Sequence, residues 1–103
     1  MTEPVKNPEI CESMLDVRAG VDETDRQLVK LLELRYGYMR AAARIKPERG
    51  HVRDEGRKSA VIKAAAQAAG IAGLPEHDIA EIWDKLVESS IAYEMTEWDR
   101  IRS

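Results

Sequence analysis

From Ser13 to Lys46 the chain reads Ser-Met-Leu-Asp-Val-Arg-Ala-Gly-Val-Asp-Glu-Thr-Asp-Arg-Gln-Leu-Val-Lys-Leu-Leu-Glu-Leu-Arg-Tyr-Gly-Tyr-Met-Arg-Ala-Ala-Ala-Arg-Ile-Lys, with no proline anywhere in the run. Apolar side chains recur every three or four residues at Met14, Val17, Val21, Leu28, Leu31, Leu32, Met39 and Ala42. That period predicts one amphipathic helix of about nine turns. Val29, Leu34 and Ile45 widen its apolar face, while two positions on the same stripe, Arg35 and Lys46, are cationic. An unpaired buried charge is costly. Cations among core positions therefore call for an anionic partner, and a small dianionic substrate answers that need.

The length of the run carries a second consequence. At its helical rise it would be about 50 Å long, whereas a domain of this size has a radius of gyration of about 13 Å. Part of the apolar stripe must be covered by something else, most simply a second copy of the chain. Gly20 and Gly37 inside the run suit close approach by a neighbouring helix. Arg35 and Lys46 differ by eleven positions, about 20° of rotation and ~16 Å of rise, so their long arms can converge on one site. Arg18 lies seventeen positions before Arg35, about 25 Å away and roughly 100° around the axis. On one helix those two guanidinium groups cannot clasp the same small molecule, so a functional Arg18 must reach a partner subunit's pocket. Each cation taken singly is more simply a snorkelling or surface side chain; the set says more than its members.

Working outward, residues 1–12 read as a loose leader in which Asn7-Pro8 suits the start of a helical turn. Ser13 is the N-cap, with Asp16 as a capping-box-like partner, and Pro47 stops the long helix at Ile45 or Lys46. Residues 47–53 form a short polar loop. Asp54 then caps a second helix over about 55–69, carrying Val61, Ile62, Ala65, Ala68 and Ala69 and ended by Gly70. Pro75 suits the first turn of a third helix, with Glu76 and Asp78 favoured by its dipole. Ile79, Ile82, Trp83, Leu86, Val87, Ile91, Met95, Trp98 and Ile101 give that helix an apolar face to the end of the chain. The expected fold is all-α, with a long, a short and a medium helix forming one domain over 13–103.

Four more polar residues stand in or beside apolar stripes. Ser90 and Glu94 form an i,i+4 pair on the third helix: Ser90 suits a bond back to a carbonyl and Glu94 an arginine partner, or both line a pocket with Lys46. Asp54 and Arg57 stand at the start of the second helix, where capping accounts for Asp54 and Arg57 falls on the inner side of the first turn. His51 and His77 read as surface residues.

Composition narrows the function classes. Of 103 residues none is Phe and only 5% are aromatic, which favours close-packed helices over a sheet. A formal net charge of -3 provides no global basic field for nucleic acid. One cysteine, Cys11, cannot form an internal disulfide, so a reducing compartment fits; it reads as a small hydrophobe near a helix start. The N-terminus carries no apolar signal segment and no run reaches the ~18 apolar residues of a membrane span. The expected location is cytoplasmic, with neither membrane nor nucleic acid as partner.

The run Leu15 to Arg35, then Ala42-Ala-Arg-Ile-Lys46, then Val52-Arg-Asp-Glu-Gly-Arg57, with Ser90 and Glu94 ahead of Trp98, resembles the all-helical chorismate mutases. The first helix is also similar to that of isochorismate-pyruvate lyase, a sister activity on the same fold. The resemblance spans about Met14 to Trp98. It implies an intertwined helical homodimer in which each site borrows an arginine across the interface. It also implies that Arg18 (from the partner) and Arg35 bind the two carboxylates of chorismate, helped by Arg57 and Ser90. Asp54 would hold the ring hydroxyl, while Lys46 and Glu94 flank the ether oxygen of the breaking bond. An intramolecular pericyclic rearrangement needs no nucleophile, metal or cofactor; it needs orientation and a donor where charge builds.

Two positions depart from the family pattern. Many relatives carry Gln where this chain has Glu94, although fungal relatives carry Glu; a protonated Glu94 would donate a hydrogen bond, and activity would rise toward acid pH. Lys58 stands where the familiar bacterial mutase has a Glu near the ring hydroxyl, which leaves Asp54 as the sole acidic candidate there; the simple reading of Lys58 is a side chain pointing to solvent. The resulting expectation is a chorismate mutase of aromatic amino-acid synthesis. Its rivals are an isochorismate-pyruvate lyase and a non-catalytic helical dimerisation module, in which the charged stripe would be interhelical salt bridges.

Overall fold

The computed structural model describes residues 5–103; the first four residues of the expected leader lie outside them. Three α-helices follow one another: α1 (Met14–Ile45), α2 (Glu55–Ile71) and α3 (Glu76–Arg102). Short 3-10 turns at Pro8–Ile10 and Arg49–His51 precede α1 and α2, and no strand occurs among the described residues. The chain is all-helical, as its periodicity requires. It divides into two compact units, one reaching to Tyr36 and the other Gly37–Ser103.

In the first unit, the start of α1 is fixed by local bonds. The Asp16 amide donates to Ser13 Oγ at 3.2 Å, the expected N-cap. The reciprocal half of the capping box differs: Asp16 Oδ2 accepts from the Glu12 amide at 3.0 Å and from Lys6 Nζ at 3.1 Å. An aspartate so placed reaches one residue beyond the cap, tying 5–12 back to the helix. The apolar stripe is exposed on the single chain, with Val21 at 52%, Leu28 at 52% and Leu31 at 62%. The one buried residue of the whole of α1 is Ala43, near its end.

The second unit holds the core. Ala43, Val52, Ala69 and Val87 are its buried apolar residues, and α2 packs along α3. Lys46 NH closes the last α1 bond on Ala42 O at 2.9 Å before Pro47 stops the helix. Asp54 caps α2 as expected, its side chain accepting from the Arg57 amide at 3.0 Å.

At its other end α2 does not stop at Gly70. It continues to Ile71, and the left-handed residue is Gly73, at φ 77°. Leu74 NH reaches Ala69 O at 2.8 Å and Gly73 NH reaches Gly70 O at 3.1 Å. Those two bonds define a Schellman motif with Gly73 just past the helix. Pro75 is the N-cap of α3 rather than a residue of its first turn.

Candidate active site

The expected site residues fall into both units. Arg18 and Arg35 belong to the first, where Arg18 is exposed and Arg35 half-buried on α1. Lys46, Asp54, Arg57, Ser90 and Glu94 belong to the second. A groove of about 470 Å³ in the first unit, lined by Val5, Pro8, Cys11, Val17 and Val21 among others, contains none of these seven residues.

The structure joins Lys46 directly to Glu94. Lys46 Nζ donates to Glu94 Oε2 at 2.8 Å and lies 3.5 Å from Val52 O. The Glu94 side chain is 5% exposed and that of Lys46 30%, so the cation faces a part-open space while its acidic partner is enclosed. The partner of Glu94 is thus this lysine rather than an arginine. Ser90, one turn earlier, is buried and its Oγ donates back to Leu86 O at 2.7 Å. Asp54 spends one oxygen on the α2 cap. Arg57 is exposed on the single chain instead of facing inward.

Lys58 does not point to solvent. Its Nζ donates to Glu88 Oε2 at 2.8 Å and pairs with Asp84 at 3.1 Å, binding α2 to α3. Arg53 grips the same carboxylate as a fork, at 3.0 and 2.9 Å. Hydrogen bonds from Arg53 and then from Lys58 hold the Glu88 carboxyl down at about 2. The Lys58 ammonium is correspondingly raised, chiefly by Glu88 and then Asp84. A positive residue at position 58 is therefore half of an interhelical ion cluster that fixes the segment leading into Asp54.

Two further residues bear on Lys46 and were legible in the sequence only as spacing. Trp98 Nε1 donates to Lys46 O at 3.0 Å and Arg102 donates to the same carbonyl at 2.9 Å. Trp98 counts in the sequence as part of an apolar face; the i,i+4,i+8 series 94, 98, 102 was the available signal. Among the described residues no group of His, Cys, Asp and Glu is arranged to hold a metal ion, and no helix is long and apolar enough to cross a membrane.

The chain is similar to the isochorismate pyruvate lyase of Pseudomonas aeruginosa, 26% identical over 98 residues that cover 95% of this chain and 97% of that one. Residues 17–95 match the family model described as chorismate mutase type II, a span that takes in Arg18 near its start and Glu94 near its end. That match over most of the chain, on an all-helical three-helix fold, makes the chain a member of the type II chorismate mutase family.

Proposed function

We propose that the protein is a chorismate mutase, converting chorismate to prephenate in aromatic amino-acid synthesis as a cytoplasmic homodimer. The observation that carries this reading is the enclosed Glu94 carboxylate holding Lys46 Nζ at 2.8 Å, a cation held in place beside a part-open space. In the rearrangement the ether C–O bond breaks as a C–C bond forms between the side chain and the ring, with negative charge building on the ether oxygen. Lys46 meets that charge. A fixed donor of this kind is worth about 2.7–4 kcal/mol in related oxyanion sites. Arg35, and Arg18 from the partner subunit, bind the two carboxylates, with Arg57 and Ser90 assisting, and Asp54 takes the ring hydroxyl. The exposed stripe of α1 supports the dimer, since contiguous apolar surface on a single chain marks an interaction face.

A lyase reading has its own support in the name of the Pseudomonas relative. The same clamps would hold isochorismate while pyruvate is eliminated to leave salicylate. Purified protein is given each substrate in turn, chorismate loss being followed by absorbance and products identified by chromatography. Prephenate from chorismate, with little salicylate from isochorismate, is the expected result; the reverse assigns the lyase. The role of Glu94 is tested by pH-rate profiles of wild type and Glu94→Gln. Lower turnover in Glu94→Gln at every pH is expected if the carboxylate holds Lys46 in place, and wild-type turnover in the variant removes Glu94 from the mechanism.

A further inference from the structure

Glu94, Trp98 and Arg102 stand at i, i+4 and i+8 on α3, and all three bond to one residue, Lys46. Glu94 takes the amine at one end of the side chain. Trp98 Nε1 and Arg102 take the backbone carbonyl at the other, at 3.0 and 2.9 Å. A second nitrogen of Arg102 donates to Ala43 O at 3.0 Å, and Ala43 is fully buried. The guanidinium lies 4.1 Å from the centre of the Trp98 ring, which sets the plane of the fork.

The last carbonyls of a helix have no donor within it, and Pro47 removes the next amide as a partner for α1. Side-chain donors from α3 fill both places, and a guanidinium there also meets the negative end of the α1 dipole. Capping alone would serve stability at any residue. Here the bonds land on the residue whose amine does the chemistry. A lysine ammonium rides on a flexible four-carbon stem, so its charge is fixed only if both ends of the residue are held.

We propose that Trp98 and Arg102 are positioning residues for Lys46, anchoring its carbonyl while Glu94 anchors its amine. The proposal rests on the proposed function, which places Lys46 at the breaking ether bond. It makes the last turns of α3 part of the device that preorganises the cation, and it separates two jobs on one helix face: Glu94 touches the site, whereas Trp98 and Arg102 act through Lys46.

The test uses the full chain with Trp98→Phe, Arg102→Ala and Arg102→Lys, beside Lys46→Ala. Trp98→Phe keeps an aromatic ring beside Arg102 but loses the indole N–H donor together with the five-membered ring. Displacing the cation is expected to lower kcat by about 10- to 100-fold in Trp98→Phe and in Arg102→Ala. KM should stay within about two-fold, because an interaction strengthened in the transition state is what has been lost. Arg102→Lys, which can still donate to Lys46 O, should recover part of kcat. Wild-type kcat in Trp98→Phe and Arg102→Ala, with turnover abolished in Lys46→Ala, overturns the positioning role and leaves the proposed role of Lys46 standing. Wild-type turnover in Lys46→Ala overturns both. Should Arg102→Ala fail to fold, Trp98→Phe decides alone.

Discussion

The two units of the chain are built on opposite plans. In the first, bonds such as Arg26 to Glu23, Thr24 to Gly20 and Lys6 to Asp16 are local. Its apolar stripe lies open on the single chain. In the second, Lys46, Arg49 and Arg53 reach side chains 48, 50 and 35 positions away, and every buried residue of the described chain lies there. A helix held by local bonds is only marginally stable in water, so the first unit needs surface from outside itself. The second has its own interhelical core, and in it the groups that would act on a substrate are already fixed. Under the proposed function, recognition of carboxylates by Arg18 and Arg35 would fall to the first unit and transition-state charge to the second.

The largest effect expected from breaking this division is at Lys46. Lys46→Ala should cut turnover by about 10²–10³-fold, with the dimer intact by sedimentation; a dimer lost together with activity would return the charged stripe to a dimerisation role. Next comes the exposed stripe. Leu28→Glu combined with Leu32→Glu should shift the sedimentation coefficient to that of a single chain and remove most activity, while α2 and α3 keep their helical signal. Unchanged association would mean that another face pairs the subunits.

Within the second unit the effects are smaller. Gly73→Ala forces a side chain into the left-handed conformation and should cost about 1–2 kcal/mol, read in thermal or urea unfolding. The smallest is at Glu88. Its folded-state carboxyl titrates at about 2, below the ordinary 4.5, so its contribution to stability is complete above pH 4.5 and is lost as pH falls toward 2. Glu88→Gln should flatten the melting temperature across that window and leave it less affected by acid than in wild type. Because the carboxylate is more than a third exposed, solvent screening keeps the change slight.

The Lys46–Glu94 pair of the candidate site was legible in residue spacing. Lys46 and Glu94 stand on polar positions of apolar stripes, a conflict that burial makes expensive unless the two meet, and they do meet. Lys58 was misleading because sequence shows a charge and not its neighbour: Glu88 and Asp84 are one turn apart on another helix, and only packing of α2 on α3 brings them within reach. The end of α2 failed for a related reason. Gly70 and Gly73 are both candidate stops, and the choice depends on which residue turns left-handed to start the connection to α3.

Sequence by itself determined three helices, their caps at Ser13 and Asp54 and the proline that ends α1, because periodicity, capping and short-range sterics are local properties; the family followed from resemblance of its motifs. Tertiary structure decided which groups hold Lys46 by its carbonyl and which ions join α2 to α3. Those bonds link positions 26 to 56 apart in the chain, and no local rule specifies partners across such a separation; only the packing of one helix face on another does.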